Sequence, residues 1–110
     1  MTMTTPRPVA FEIEVAGHVV LTHGELDLNA VPRLREALET ARRDPRQAVV
    51  VDLVHVSYLD SPVVSVLFEH ADRLYLRLAA GASINTVLSL TGLLSLPGVR
   101  VSYADFASSI

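Results

Sequence analysis

Residues 48–56 read Ala-Val-Val-Val-Asp-Leu-Val-His-Val. A half-exposed strand alternates apolar and polar side chains, and this run is too continuously apolar for that, so it suits a central strand covered on both faces. Its first four residues, Ala48 to Val51, are the longest uninterrupted apolar stretch in the chain. That is far short of the roughly 20 residues needed to cross a bilayer, so no membrane insertion is expected. Ser57 to Asp60 reads as the loop that follows the strand.

Working back from this strand, Val31, Leu34, Leu38 and Ala41 recur at spacings of three, four and three. They draw one buried stripe on a helix from about Ala30 to Arg43. Pro32 fits its first turn, where the missing amide proton has no partner, and Asp27 or Asn29 can cap the free amides before it. Asp44 and Pro45 end it. Further upstream, Val9, Phe11, Ile13 and Val15 alternate with Ala10, Glu12 and Glu14, the period of a strand with a charged outer face. Gly17 and His18 form a short turn into a second strand over His18 to Glu25, and the pair reads as an antiparallel hairpin. Residues 1–8, rich in Thr and Pro, read as a flexible lead into a single domain over 9–110.

Working forward, Asp60-Ser61-Pro62 opens a second helix with Val63, Val66, Leu67 and Ala71 on its buried face. Arg73-Leu-Tyr-Leu-Arg-Leu78 alternates strictly and predicts a strand over 73–79, although a helix continuing from Ser61 to Ala79 also satisfies the length expected of helices. Gly81 breaks that element. A short helix fits Ser83 to Leu90, a last strand fits Val99 to Tyr103, and the final residues fit one docked helical turn. The order is that of an α/β domain with a mixed sheet of four to five strands and helices packed against it. Loops that follow its parallel strands collect along one edge, where small α/β proteins usually place their sites.

Composition narrows the functional classes. The chain has 110 residues, 50% hydrophobic, with nine basic side chains against twelve acidic ones and a net charge of −3. Such a balance supplies no basic field for a polyanion, so direct nucleic-acid binding is not expected. The absence of cysteine removes thiolate catalysis, thiolate zinc sites and disulfides. The N-terminus has no basic start followed by a hydrophobic block, which makes a cytoplasmic location the default.

Few residues point to chemistry. The four histidines, His18, His23, His55 and His70, are 5, 32 and 15 residues apart and fit no metal-ligand spacing. Structural or solvent-exposed roles are expected for all of them, and neither a metal nor a cofactor is expected. The five glycines are isolated, so no phosphate-cradling loop exists. Ser61, His23 and Asp60 or Asp27 can be assembled on paper into a hydrolase triad, but any chain with these residues allows as much, and no catalytic residue is assigned. Asp27 reads most simply as a cap or turn residue worth about 1 kcal/mol. Ser61 reads most simply as a cap whose hydroxyl serves the second helix. Its position has a further use, because a phosphate there would place about −1.5 to −2 charges at the positive end of a helix dipole. That charge would stand beside Asp60 and near Asp27, on a surface approached through Tyr58 and Leu59, and would repel a partner lacking Arg or Lys to receive it.

Three segments in order, Leu21-Thr-His-Gly-Glu-Leu-Asp27, Val49-Val-Val-Asp-Leu-Val-His-Val-Ser-Tyr-Leu-Asp-Ser61 and Leu90-Thr-Gly-Leu93, resemble the STAS domain of bacterial anti-sigma factor antagonists. The resemblance runs from about residue 9 to 105. It implies a protein without catalysis of its own, which binds an anti-sigma factor, often a serine kinase, and thereby frees a sigma factor. Phosphorylation by that kinase ends the association, and a phosphatase restores it. By position, Ser61 matches the phosphorylated hydroxyl, Asp60 its preceding acid and Asp27 the acid of the turn near the site. Asn29, Tyr58 and Pro62 match neighbouring partner contacts. Family members usually follow the Asp-Ser pair with a small residue and then Gly, whereas this chain has Pro62 and Val63. The departure leaves room for a second role, a STAS scaffold that is not phosphorylated, in a signalling complex or a lipid ABC transport system.

Overall fold

A computed structural model describes residues 10–104. The expected flexible lead over residues 1–8, the start of the first strand at Val9 and the helical turn over the last residues lie outside the described residues. Five strands form one sheet in the order β1-β2-β3-β4-β5: β1 (Phe11–Ala16), β2 (Val19–Leu26), β3 (Val49–Leu59), β4 (Leu74–Ala79) and β5 (Val99–Ala104). The β1–β2 hairpin is antiparallel, and every later neighbour is parallel. Helix α1 (Val31–Ala41), α2 (Ser61–Phe68) and α3 (Ile84–Leu90) make the three crossovers. The mixed sheet and the strand at 73–79 are as the alternation of side chains predicts. The longer helix from 61 to 79 does not form, because Glu69 to Arg73 turn the chain back into β4.

Two expectations about the central strand are corrected. Coverage on both faces is not found: along β3, Val49, Val51 and Leu53 are buried while Val50, Asp52 and Val54 are only half-buried. Strand order explains this. Each parallel connection steps to the next strand in the same direction, and crossovers of one hand then deposit every helix on the same side of the sheet. Buried residues of all three helices accordingly share one core cluster with Ile13, Val20, Val51, Leu76 and Val99, which lie on that side. Among the described residues the opposite face carries no helix.

The second correction concerns Ser57 to Asp60, expected as a loop. Strand β3 runs on to Leu59, pairing Glu25 with Tyr58 and Leu26 with Leu59. Two register shifts, between Leu21 and His23 and between Gly24 and Glu25, accommodate extra residues on β3. Such bulges break the strict alternation, and a broken alternation reads as a loop in the sequence. Helix α1 spans the apolar stripe from Val31 to Ala41 and is slightly shorter than the expected range of about Ala30 to Arg43, with a 3-10 turn over Leu28–Ala30 before it.

Gly24 lies in β2 where that strand meets the bulged part of β3, and it packs closely against β1. Its φ is +89°, and a Cβ added there would lie 2.2 Å from the carbonyl oxygen of Ala10. The close approach lets the Glu25 amide donate to that same oxygen at 2.8 Å.

Candidate functional site

The C-terminal ends of β2 and β3 are level, because Leu26 pairs with Leu59. Each strand then enters a helical turn. After Leu26, the backbone of Asp27 is extended and its Oδ1 accepts the Asn29 amide at 2.9 Å, while its carbonyl accepts the Ala30 amide at 3.0 Å. This is the expected capping role, exercised on the 3-10 turn that leads into α1. After Leu59, Asp60 is extended and occupies the cap position of α2, and its carbonyl accepts the amides of Val63 and Val64, each at 3.1 Å. The Asp60 amide donates to the Leu26 carbonyl at 3.3 Å and ties the two turns together.

Ser61 is the first residue of α2 and is exposed. It does not serve as the cap: Asp60 holds that position, and neither side chain bonds to the free amides. Beyond Ser61 itself the first turn offers no free donor, since Pro62 has no amide proton and Val63 and Val64 turn theirs to the Asp60 carbonyl. The hydroxyl therefore projects from the positive end of a helix with no fixed hydrogen-bond duty. Asp60 Oδ1 is buried and lacks a hydrogen-bond partner.

Around this hydroxyl, Asp27 and Pro62 are half-buried and Asn29 is exposed. Tyr58 is 49% exposed. Leu59, expected as part of the apolar approach, is instead only 3% exposed and belongs to the core. Its place on the surface is taken by Leu28, at 63% exposure, which the sequence reading passed over although an apolar residue between Asp27 and Asn29 stands out in a polar turn. Backbone pairing thus brings the Asp27 and Asp60 turns side by side, with Tyr58 and Leu28 the exposed apolar residues of the two flanking segments.

A hydrolase arrangement is not assembled. His23 does not bond to Ser61. It pairs in register with His55 on the helix-free face, where the two rings stack with centroids 5.0 Å apart and planes 7° from parallel. His70 is structural: it is buried at the end of α2, and its Nδ1 lies 3.1 Å from Arg42 Nη1. Among the described residues no group of three or more acidic or histidine side chains is placed to hold a metal ion, and no helix is long and apolar enough to cross a membrane. A concavity of about 480 Å³ lies at the other end of the sheet, between the Gly17-His18 turn and the end of α1.

Comparison with known proteins matches the same elements. An anti-sigma-B factor antagonist from Staphylococcus aureus strain NCTC 8325 is 31% identical over 104 residues, covering 88% of this chain and 89% of that protein. The corresponding protein of strain COL matches equally. A crystal structure of a DUF3478-family protein with a SpoIIAA-like fold, from Shewanella loihica, superposes with a TM-score of 0.57 at 9% identity, covering 93% of this chain and 91% of that one, a likeness of fold alone. A family model described as Mlab, STAS domain, matches residues 9–83, which hold β1 to β4 and both acidic turns. With that match spanning most of the domain, the chain belongs to the STAS domain family.

Proposed function

We propose that this chain is an anti-sigma factor antagonist that docks an anti-sigma factor through the edge formed by Asp27, Asn29, Tyr58, Asp60, Ser61 and Pro62. In this reading the partner is a serine kinase, phosphorylation of Ser61 ends the association, and a phosphatase restores it. The carrying observation is the exposed hydroxyl on the first turn of α2, level with the Asp27 turn and free of any structural bond. The relatives named as anti-sigma-B factor antagonists support the reading. The physical switch is charge: a phosphate adds about −1.5 to −2 where Asp27 and Asp60 already stand, so a partner fitted to the neutral hydroxyl meets repulsion and added bulk.

Incubation with a candidate anti-sigma kinase and ATP tests it. Mass spectrometry is expected to place one phosphate on Ser61 and none on the Ser61→Ala variant. Association with the kinase is expected to survive Ser61→Ala and to be lost in Ser61→Glu. Equal binding of the kinase by Ser61→Glu and the unaltered protein defeats the switch.

One observation favours a second reading, a scaffold that is never phosphorylated. Pro62 stiffens the residue after the hydroxyl, and Val63 and Val64 are buried, so the start of α2 has little freedom to open into a kinase cleft. A pull-down that recovers the ATPase of a lipid transporter and no sigma regulator selects it.

A further inference from the structure

The helix-free face of the sheet has an apolar centre, with the exposed His23 and His55 and the charged side chains around it. Parallel sheets are usually covered on both faces, and β2 to β5 run parallel. Here Val50 and Val54 on the central strand, with Leu21 on β2 and Tyr75 on β4, line the uncovered side and remain half-buried. The continuous apolar run at 48–56 has the composition of a strand covered twice, and the helices cover it once.

Charge on this face is divided by margin. Glu12 and Glu14 lie on β1 at one margin, and Arg100 lies on β5 at the other. Between them Asp52 is neutralised, accepting from Arg77 at 3.3 Å and from the Val54 amide at 3.0 Å. Strand β3 is the middle strand, so a two-fold axis laid along it above the face has a definite effect. It places β1 of one copy over β5 of the other, acid over base on both sides, with the Val50 side chains meeting at the axis. A two-fold axis across the strands would set acid on acid and base on base instead.

We infer that a second copy of this chain packs on the helix-free face, the two sheets aligned face to face about an axis parallel to β3. The face measures about 24 Å across five strands and about 20 Å along them, so the dimer buries about 1,000 Å² in total. That area is at the low end for specific association, and the dimer forms reversibly at high concentration. The face is separate from the Ser61 edge, and the inference does not depend on the function proposed above.

Sedimentation equilibrium of the whole chain tests it, from about 10 µM to about 1 mM, the range in which an interface of this size acts. The average mass is expected to climb from 11.9 kDa towards twice that value as concentration rises. Added salt is expected to weaken the dimer, because its margins are exposed ion pairs. Glu14→Arg and Arg100→Glu are each expected to weaken association by about tenfold or more through like-charge contacts, and the double variant to restore it. Circular dichroism confirms that each surface variant is folded. A protein monomeric at every concentration, as an intramolecular cover or a different partner would leave it, overturns the inference. So does a dimer that neither single reversal weakens, or one that the double variant fails to restore.

Discussion

The amide of Asp60 donates to the carbonyl of Leu26 across the last rung between β2 and β3, at 3.3 Å. This bond connects the backbone of one acidic turn to the strand that feeds the other. Leu26 is fully buried, so the position of both turns depends on how its side chain fills the core. Leu26→Ala is expected to cost about 2–5 kcal/mol of stability by urea denaturation, through lost transfer energy and the cavity left behind.

The two exposed apolar residues beside the site give an opposite pattern. Leu28→Ala and Tyr58→Ala remove surface contacts and are expected to leave stability within about 0.5 kcal/mol. Under the proposed function, each is expected to weaken the complex with an anti-sigma factor by about 1–2 kcal/mol, measured by isothermal titration, as truncation of an interface anchor does.

Gly24 has no acceptable replacement. Alanine there combines a positive φ with a Cβ pressed into the Ala10 carbonyl. A loss of about 1–3 kcal/mol is expected from backbone strain alone, with the contact adding to it. Gly17, also at positive φ but with open space around it, is the control: Gly17→Asn is expected to be much milder, since asparagine tolerates the left-handed region.

The buried His70 makes stability depend on pH. Burial holds its pKa below the ordinary histidine value, and the Arg42 guanidinium pushes in the same direction, against Glu69, Asp72 and Glu39, which oppose it. The folded protein therefore prefers the neutral ring, and the unfolded chain binds the proton more readily. The resulting stability is complete above the unfolded pKa near 6.5 and is lost as pH falls from there through the depressed folded value. Urea midpoints at pH 7.5, 6.5 and 5.5 are expected to decline in that order, and His70→Gln is expected to flatten the decline. Asp72, whose pKa is lowered chiefly by its hydrogen bonds from Arg42, loses its contribution only in the carboxylate range below that window.

Much of the fold was legible because side-chain period reports directly on local geometry. The strict alternation at Arg73 to Leu78 marks β4, and the stripe of Leu34, Leu38 and Ala41 marks α1. Periodicity is silent about which strands become neighbours. A continuously apolar run therefore reads as a twice-covered central strand, whereas the sequential strand order places all three helices on one side. It was equally silent about the stacking of His23 on His55, since only the bulged register puts residues 32 apart side by side. At the candidate site, Asp27 as a cap and Ser61 at a helix start could be read from residue type. That Asp60 displaces Ser61 from the cap, and that Leu28 replaces Leu59 at the surface, depended on the strand continuing to Leu59, where broken alternation hid it.

The irregular pairing of β2 with β3 has a consequence for how this edge tolerates change in length. From the rung at Leu21 and Asp52 to the rung at Leu26 and Leu59, one strand takes fewer steps than the other, yet both finish level. The slack works as a vernier: a residue gained or lost between 53 and 58 can be taken up by making or erasing a kink, while the hydroxyl at the head of α2 keeps its station.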